Sequence, residues 1–361
     1  MIKKVFCSGI KRPGEIVSLI LILFLICGSA LAATITVQSG ESIQEAIDQA
    51  RSGDVIEVMS GTYQGTLDIK KEVALMGIDS GEGMPVIDAG SILGSVFMTA
   101  NNSQISGFKI VNPNGDGIDV TSSHNMISNN TIEACGAAIY LMVSDKNKIV
   151  NNNATVRCQG VMGLLSSDGI MLAHSDENII EGNTASGASM GIYLYYSHNN
   201  TILNNAALSN DHGIAIKGSR DNIIQENRAI GNKEEGIGLL NGCSGNTVTK
   251  NNVTGNSIGI YLRESNHNTI YLNDFIDNLQ NALSSDSENI WHSPEQVSYS
   301  SAGKSYTGLL GNYWSDYEGN DSDGDGLGDA SHSFEYDGQD DHPLMTPSSD
   351  LIKPKMTHKG M

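Results

Sequence analysis

NTILNNAALSNDHGIAIKGSRD (residues 200–221) is followed directly by NIIQENRAIGNKEEGIGLLNGCSG (residues 222–245), and the two stretches share one design. Each opens on an Asn, carries a second Asn five positions later (Asn200/Asn205, Asn222/Asn227) and places an aliphatic residue two positions after the first (Ile202, Ile224). Working outward, the pair recurs at Asn125/Asn130, Asn147/Asn152, Asn178/Asn183, Asn246/Asn251 and Asn268/Asn273, with Ser103/Phe108 as a degenerate first copy. The steps from Ser103 are 22, 22, 31, 22, 22, 24 and 22 residues. A short fixed period means a solenoid, in which each repeat packs mainly on its neighbours.

The residues between the Asn pairs say which solenoid. A Gly- or Ala-led run alternates strictly, as in Ala138-Ile139-Tyr140-Leu141, Gly191-Ile192-Tyr193-Leu194 and Gly259-Ile260-Tyr261-Leu262. Ile118, Ile139, Ile170, Ile192, Ile214, Ile237 and Ile260 form one column, and Val120, Leu141, Leu172, Leu194, Ile216, Leu239 and Leu262 a second. Period-two alternation between turn residues means strands, and no run at helical spacing is long enough for a leucine-rich repeat. The fold class is therefore an all-β, single-stranded parallel β-helix with the aliphatic columns inside. The paired Asn residues are expected at the corners, where Asn tolerates the left-handed conformation and stacked amides can bond along the solenoid axis.

The ends differ from the middle. Lys3, Lys4, Lys11 and Arg12, the apolar run from Val17 to Cys27, and Ala30-Leu31-Ala32 read as an export signal over residues 1–32, the apolar run being shorter than a membrane span needs. Residues 33–100 read as an N-terminal cap and first coils: Ser42-Ile43-Gln44-Glu45 opens a helix to about Ala50 whose face is Ile43, Ala46 and Ile47. The repeats occupy 101–282, a C-terminal cap 283–346, and a polar tail expected to be disordered 347–361. The chain holds 21 basic and 41 acidic side chains, a net of −20; residues 1–32 contain four of the bases and one of the acids, so the remainder is near −23. Such a surface repels nucleic acid and anionic membranes. Cys135 and Cys158 fall at similar offsets in adjacent repeats, within disulfide reach at a rung spacing of about 4.8 Å, with paired and free thiols both left open; Cys243 has no evident partner.

Ile43-Gln44-Glu45-Ala46-Ile47, Gly53-Asp54-Val55-Ile56-Glu57-Val58 and Gly61-Thr62-Tyr63, the Asn-paired repeats, and the ending Gly311-Asn312-Tyr313-Trp314-Ser315-Asp316-Tyr317 with His342-Pro343-Leu344 together resemble NosD-like right-handed β-helix proteins over about residues 34–346. The resemblance implies a right-handed helix and an exported protein. It also brings a copper expectation, since the family's namesake is a periplasmic accessory to copper-site maturation in nitrous oxide reductase. The wider repeat class includes polysaccharide-acting enzymes.

The residues themselves argue against copper. Against the repeat Asn, His124, His174, His198, His212 and His267 fall at −1, −4, −2, +12 and −1, so only His124 and His267 share a column, six coils apart. Asn114-Gly115-Asp116-Gly117-Ile118-Asp119 resembles a polygalacturonase signature, and Asp211-His212-Gly213 a second motif of those enzymes. Asp116 and Asp211 are four coils apart, however, about 19 Å, beyond the roughly 5–10 Å that glycoside hydrolysis needs. Asp116 and Asp168 therefore read as structural pre-Gly residues, and no catalytic residue is assigned.

A surface and a loop remain. Between the aliphatic columns an outward column reads Asp119, Tyr140, Met171, Tyr193, Ala215, Gly238, Tyr261. Tyr140, Met171, Tyr193 and Tyr195 are the expected ligand-contact face, suited to stacking on sugar rings or docking a protein. The 31-residue repeat adds a loop containing Val161, Met162, Leu164 and Leu165. Asp321, Asp323, Asp325 and Asp329 stand at positions 1, 3, 5 and 9 around Gly326, with the Leu327 carbonyl at 7, a calcium-loop spacing that departs at position 12, where His332 stands and Asp337, Asp340 or Asp341 would have to substitute. The expectation is a monomeric exported protein, periplasmic, secreted or at the cell surface, with no stable membrane insertion after signal cleavage. Its expected work is non-catalytic binding of a cell-envelope polysaccharide or surface protein. A polysaccharide hydrolase or lyase is the alternative, and copper delivery the third reading.

Overall fold

A computed structural model describes residues 32–90, 93–158 and 167–352. The expected signal apart from its last residue, the apolar loop residues Val161, Met162, Leu164 and Leu165, and positions 353–361 lie outside the described residues. Each repeat is one coil of three short strands. In the coil quoted first these are Thr201–Leu203, Ala206–Leu208 and His212–Lys217. Every strand pairs in parallel with its counterparts one coil up and one coil down, giving three faces of 11 strands each. The register keeps like on like: Ile180, Ile202 and Ile224 on the first face, Ala185, Ala207 and Ala229 on the second, Ile192, Ile214 and Ile237 on the third. The longer repeats do not disturb it, because Tyr140 still pairs with Met171 and Ala215 with Gly238. These aliphatic columns have no solvent exposure. Burying each such side chain contributes about 1.5–3 kcal/mol.

The corners correct one expectation. The paired Asn residues are not the left-handed ones; the residue before each of them is. Ahead of the first Asn stand His124, Lys146, Glu177, Asn199, Asp221 and His267, all at φ between 55° and 63°. Ahead of the second stand Asn129, Asn151, Asn204, Glu226, Lys250 and Leu272, at φ 52° to 58°. The turn is thus made by whichever residue precedes, and the Asn that follows points inward, where it is buried. This also explains why His124 and His267 share a column: both are corner residues.

The buried amides form ladders. Asn183 donates from its backbone N and its Nδ2 to Asn205 Oδ1 at 2.9 and 3.0 Å, and Asn205 does the same to Asn227 at 2.8 and 3.0 Å. The Nδ2 group of Asn205 also donates to the Ile180 carbonyl, so the corner's buried backbone is satisfied as well. A third ladder, Asn210, Asn232, Asn256 and Asn278, escaped the sequence reading although its members lie ten positions after the first Asn of their repeats. A serine column (Ser122, Ser144, Ser175, Ser197, Ser219, Ser265, Ser287) lines a further corner. Cys243 occupies the serine slot of its coil, and its buried thiol donates to the carbonyls of Ile216 and Leu240.

Both ends of the core are closed. The helix Ile43–Gln49, capped by Ser42 Oγ accepting from the Glu45 N–H, packs Ile43, Ala46 and Ile47 onto the first coils. At the far end Trp314 stacks on Phe275, with Trp291 and Phe334 against it. The second-Asn ladder ends on Asn312 and then on the buried Asp340, whose Oδ2 accepts from the Asn312 N–H and Nδ2 and from Trp314 Nε1. The third ends through Asn281 on Asp316 Oδ1 at 2.7 Å. Asp340 is therefore not a calcium ligand in waiting. Asp337 and Asp341 are likewise committed elsewhere, to the Asp286 N–H and to Ser331 and Gln339. The first part of the expected disordered tail is ordered: Ser348–Leu351 forms a short helix, the Ser348 N–H donates to Asp274 Oδ1, and Leu351 is buried. The small apolar cluster around Tyr299, Leu310 and Leu344 supplies the surface that holds it. Cys135 and Cys158 are disulfide-bonded, with a Cα–Cα distance of 4.7 Å.

Candidate functional site

The third face carries the outward column in unbroken register: Phe97, Asp119, Tyr140, Met171, Tyr193, Ala215, Gly238, Tyr261. Tyr140, Met171 and Tyr193 are half-buried. Burial raises the Tyr140 hydroxyl and pushes that of Tyr193 up to about 12, so both are neutral donors at ordinary pH. Two positions on, Met142, Ala173, Tyr195 and Lys217 form a parallel outward column. Tyr195 meets Tyr196 edge to face at 4.6 Å, Tyr196 stacks on His174 at 5.7 Å, and the Lys217 ammonium lies 5.9 Å from the Tyr195 ring centre. His174 is thus an aromatic partner. His198, by contrast, uses Nδ1 to accept the Arg220 N–H. Met142, Val143 and Tyr196 are exposed at the rim. Period two already puts Met142 in the column of Tyr195, whereas Val143 and His174 are not legible in the sequence, because a corner residue's direction depends on the left-handed turn it makes.

At the N-terminal end of this face Asp116 and Asp119 meet carboxyl to carboxyl. Asp116 Oδ1 accepts the Ala137 N–H from the next coil at 2.6 Å, the structural role expected of it. Asp119 leans over Gly94, where a Cβ would come within 2.0 Å of its Oδ2. Burial, and then the charge of Asp116, push Asp119 up to about 7, so the pair holds one proton over most of the acidic range. Further along, His212 Nδ1 bonds the buried Glu235 Oε2 at 2.9 Å, while Asp211 is held outside by Lys233 at 2.6 Å.

In the C-terminal cap, Asp321, Asp323 and Asp325 each bring one carboxylate oxygen within 4.8 Å of the others. Asp321 also accepts from the N–H groups of Gly324, Asp325 and Gly326, and Asp325 from that of Leu327. Asp329 turns away, accepting from the backbone and hydroxyl of Ser322. His332, at position 12, packs among Trp314, Tyr317 and Phe334 instead of facing the loop.

These features define a capped right-handed parallel β-helix with an aromatic face. A family model described as "Periplasmic copper-binding protein (NosD)" matches residues 153–319, and one described as "Right handed beta helix region" matches residues 90–210. Across residues 90–319 the chain is thus similar to NosD-like right-handed parallel β-helix proteins. No curated protein sequence matches it. Among solved structures, pectate lyase Pel9A is similar at 16% identity and a TM-score of 0.57, covering 73% of this chain and 80% of that one. A polygalacturonase from Erwinia carotovora ssp. carotovora is similar at 11% identity and 0.54, covering 73% and 94%. XylC in complex with xylose is similar at 11% and 0.50, covering 68% and 75%. At these identities the likeness is one of fold. Among the described residues no helix is long and apolar enough to cross a membrane.

Proposed function

We propose that this protein is exported and binds a cell-envelope polysaccharide along its third face, without chemistry. The observation that carries the reading is the continuous run Tyr140, Met171, Tyr193 and Tyr195, extended by exposed Met142, Val143 and Tyr196. Rigid half-buried tyrosines offer a flat apolar surface and a hydroxyl each, the combination that stacks on a sugar ring and bonds its oxygens. The printed names of the similar structures, a pectate lyase, a polygalacturonase and a xylose complex, are those of carbohydrate-handling proteins and agree with a glycan over a protein partner. The test is a glycan array with the parent chain and the double variant Tyr140→Ser/Tyr193→Ser. The variant should lose at least about tenfold in affinity with its melting temperature nearly unchanged. Full binding by the variant returns the tyrosines to plain sheet residues, and binding to an envelope protein alone replaces the glycan.

One observation favours the enzymatic alternative. Asp119, protonated up to about pH 7 beside an ionised partner and next to Tyr140, is poised as a general acid. Release of new sugar ends from a bound polysaccharide, lost in Asp119→Asn, would establish catalysis.

We also propose that Asp321, Asp323 and Asp325 hold calcium, which would fix the C-terminal cap. Three convergent carboxylates suit a hard cation. The hairpin Val297–Ser301/Lys304–Gly308 is tied to the same loop, Tyr306 donating to the Gly324 carbonyl at 3.0 Å.

A further inference from the structure

The N-terminal edge of the first face holds a buried carboxylate with no cation bonded to it. Asp54 is 6% exposed and opens the strand Asp54–Met59. Its Oδ1 accepts the Ala33 N–H and its Oδ2 the Arg51 N–H, both at 2.8 Å. Those two bonds hold the carboxyl below its usual range, so it is ionised at neutral pH. Among the described residues no Lys or Arg side chain forms an ion pair with it, and the Arg51 charge acts only from a distance. A buried Asp ordinarily has a cationic partner.

Ala33 stands where the sequence allows the chain to be cut. Gly28-Ser29-Ala30 and Ala30-Leu31-Ala32 both place small residues one and three positions before a bond, so the sequence by itself permits two cuts. The structure separates them. Ala32 and Ala33 are exposed and lead into Thr34–Val37, the edge strand of the first face. Ala33 is already fixed from both ends: its carbonyl accepts the Val55 N–H at 2.9 Å, and its nitrogen points at Asp54. A cut before Ala33 turns the group on Asp54 from a neutral amide into an ammonium in the same place. A cut after Ala30 leaves the amide as it is, with Leu31-Ala32 overhanging.

We propose that the Ala32–Ala33 bond is the processing site on export, and that the α-ammonium it frees is the missing counter-ion of Asp54. The cut is a hydrolysis by a peptidase that recognises small residues. The hydroxyl of water goes to the Ala32 carbonyl carbon, the C–N bond breaks and the nitrogen takes the remaining hydrogen. The proton of the new carboxyl then completes the ammonium. The inference rests on the export half of the reading above and deepens it by naming the bond and the use made of its product. Charges on the surrounding turn and helix end are engaged elsewhere: Lys71 donates to the carbonyls of Asp48 and Ala50, and Glu72 accepts from the Ser52 hydroxyl. An amine paired with Asp54 titrates above its ordinary value of about 8. The stability it contributes is fully present below that ordinary value and is lost as pH rises through the raised one.

The experiment expresses the full chain in a bacterial host and determines the N-terminus of the exported product by mass spectrometry. The product should begin at Ala33; one that begins at Leu31 or keeps residues 1–32 overturns the proposal. The α-amine, followed through the pH dependence of acetylation at the N-terminal peptide, should titrate near about 9 instead of about 8. Asp54→Asn should be cut at the same bond, return the amine to about 8 and melt about 2 °C below the parent at neutral pH, with the difference shrinking above about pH 9. A parent amine that titrates at about 8 refutes the pairing, whether or not Asp54→Asn folds. If the chain is neither exported nor cut, the export reading falls with the proposal. If it is exported and cut elsewhere while glycan binding holds, the proposal alone fails.

Discussion

Val143 is a β-branched residue at φ 51° and 70% exposed, beside Met142 on the rim of the aromatic face. Equivalent corners use His174, Tyr196 and Gly218. Only the last is free of strain there, and a β-branched side chain carries the most. Val143→Gly should therefore raise stability by about 1 kcal/mol, read as a higher melting temperature. If glycan affinity falls at the same time, the strain serves the contact face; an unchanged or lower melting temperature contradicts the strain. Asp119 makes a pH-dependent prediction. Its folded value of about 7 lies above the unfolded value near 3.9, so the unfolded chain gives up its proton first and stability falls as pH rises from about 4 to about 7. Asp119→Asn removes that loss. The side chain is partly exposed, so the gain should be on the order of 1 kcal/mol, or about 2–4 °C, at pH near 8 and should vanish near pH 4. Equal melting of parent and variant at the alkaline end would show that Asp119 ionises normally.

At the level of elements, strands were legible in the sequence and corners were not. Ile192 and Leu194 announce their inward phase by alternation, and their columns recur in every coil. A corner gives no such signal, because the residue that takes the left-handed conformation can be His124, Lys146, Glu226 or Leu272. What recurs is the Asn after it, which is why the sequence pattern points to the Asn and not to the residue that turns. The site was legible to the same degree. The register of Tyr140, Met171 and Tyr193 follows from period two, whereas the meeting of His212 with Glu235 depends on the side-chain space left by Gly238. The acidic loop sits between these cases. Its spacing brings Asp321, Asp323 and Asp325 together, but Asp329 bonds Ser322 instead. If calcium binds there, millimolar calcium should raise the melting temperature and protect the cap from protease, and Asp323→Ala/Asp325→Ala should abolish both responses. A parent protein indifferent to calcium in both assays would rule the site out.

For the whole molecule, stability comes from columns that run the length of the solenoid. Ile192→Asp places an unpaired charge in the middle of one, between Ile170 and Ile214, and should cost at least about 4 kcal/mol, visible as loss of cooperative melting. Parent-like melting would mean that the column is not the core. Ile43, Ala46 and Ile47 at one end and Trp314, Trp291 and Phe334 at the other keep the column ends dry.

The amide ladders give this length a direction. Each ladder Asn turns its oxygen toward the N-terminal end and its NH2 toward the C-terminal end, since Oδ1 accepts from the coil before and Nδ2 donates to the coil after. The small dipoles add, as peptide units do along an α-helix, and the positive pole lies at the C-terminal end. There Asp340 closes one ladder and Asp316 another. Although its backbone bonds run both ways, the solenoid is an axially polarised rod, and the carboxylates at its positive pole are the counter-charges, Asp340 ending one ladder inside the protein and Asp316 the other at its surface.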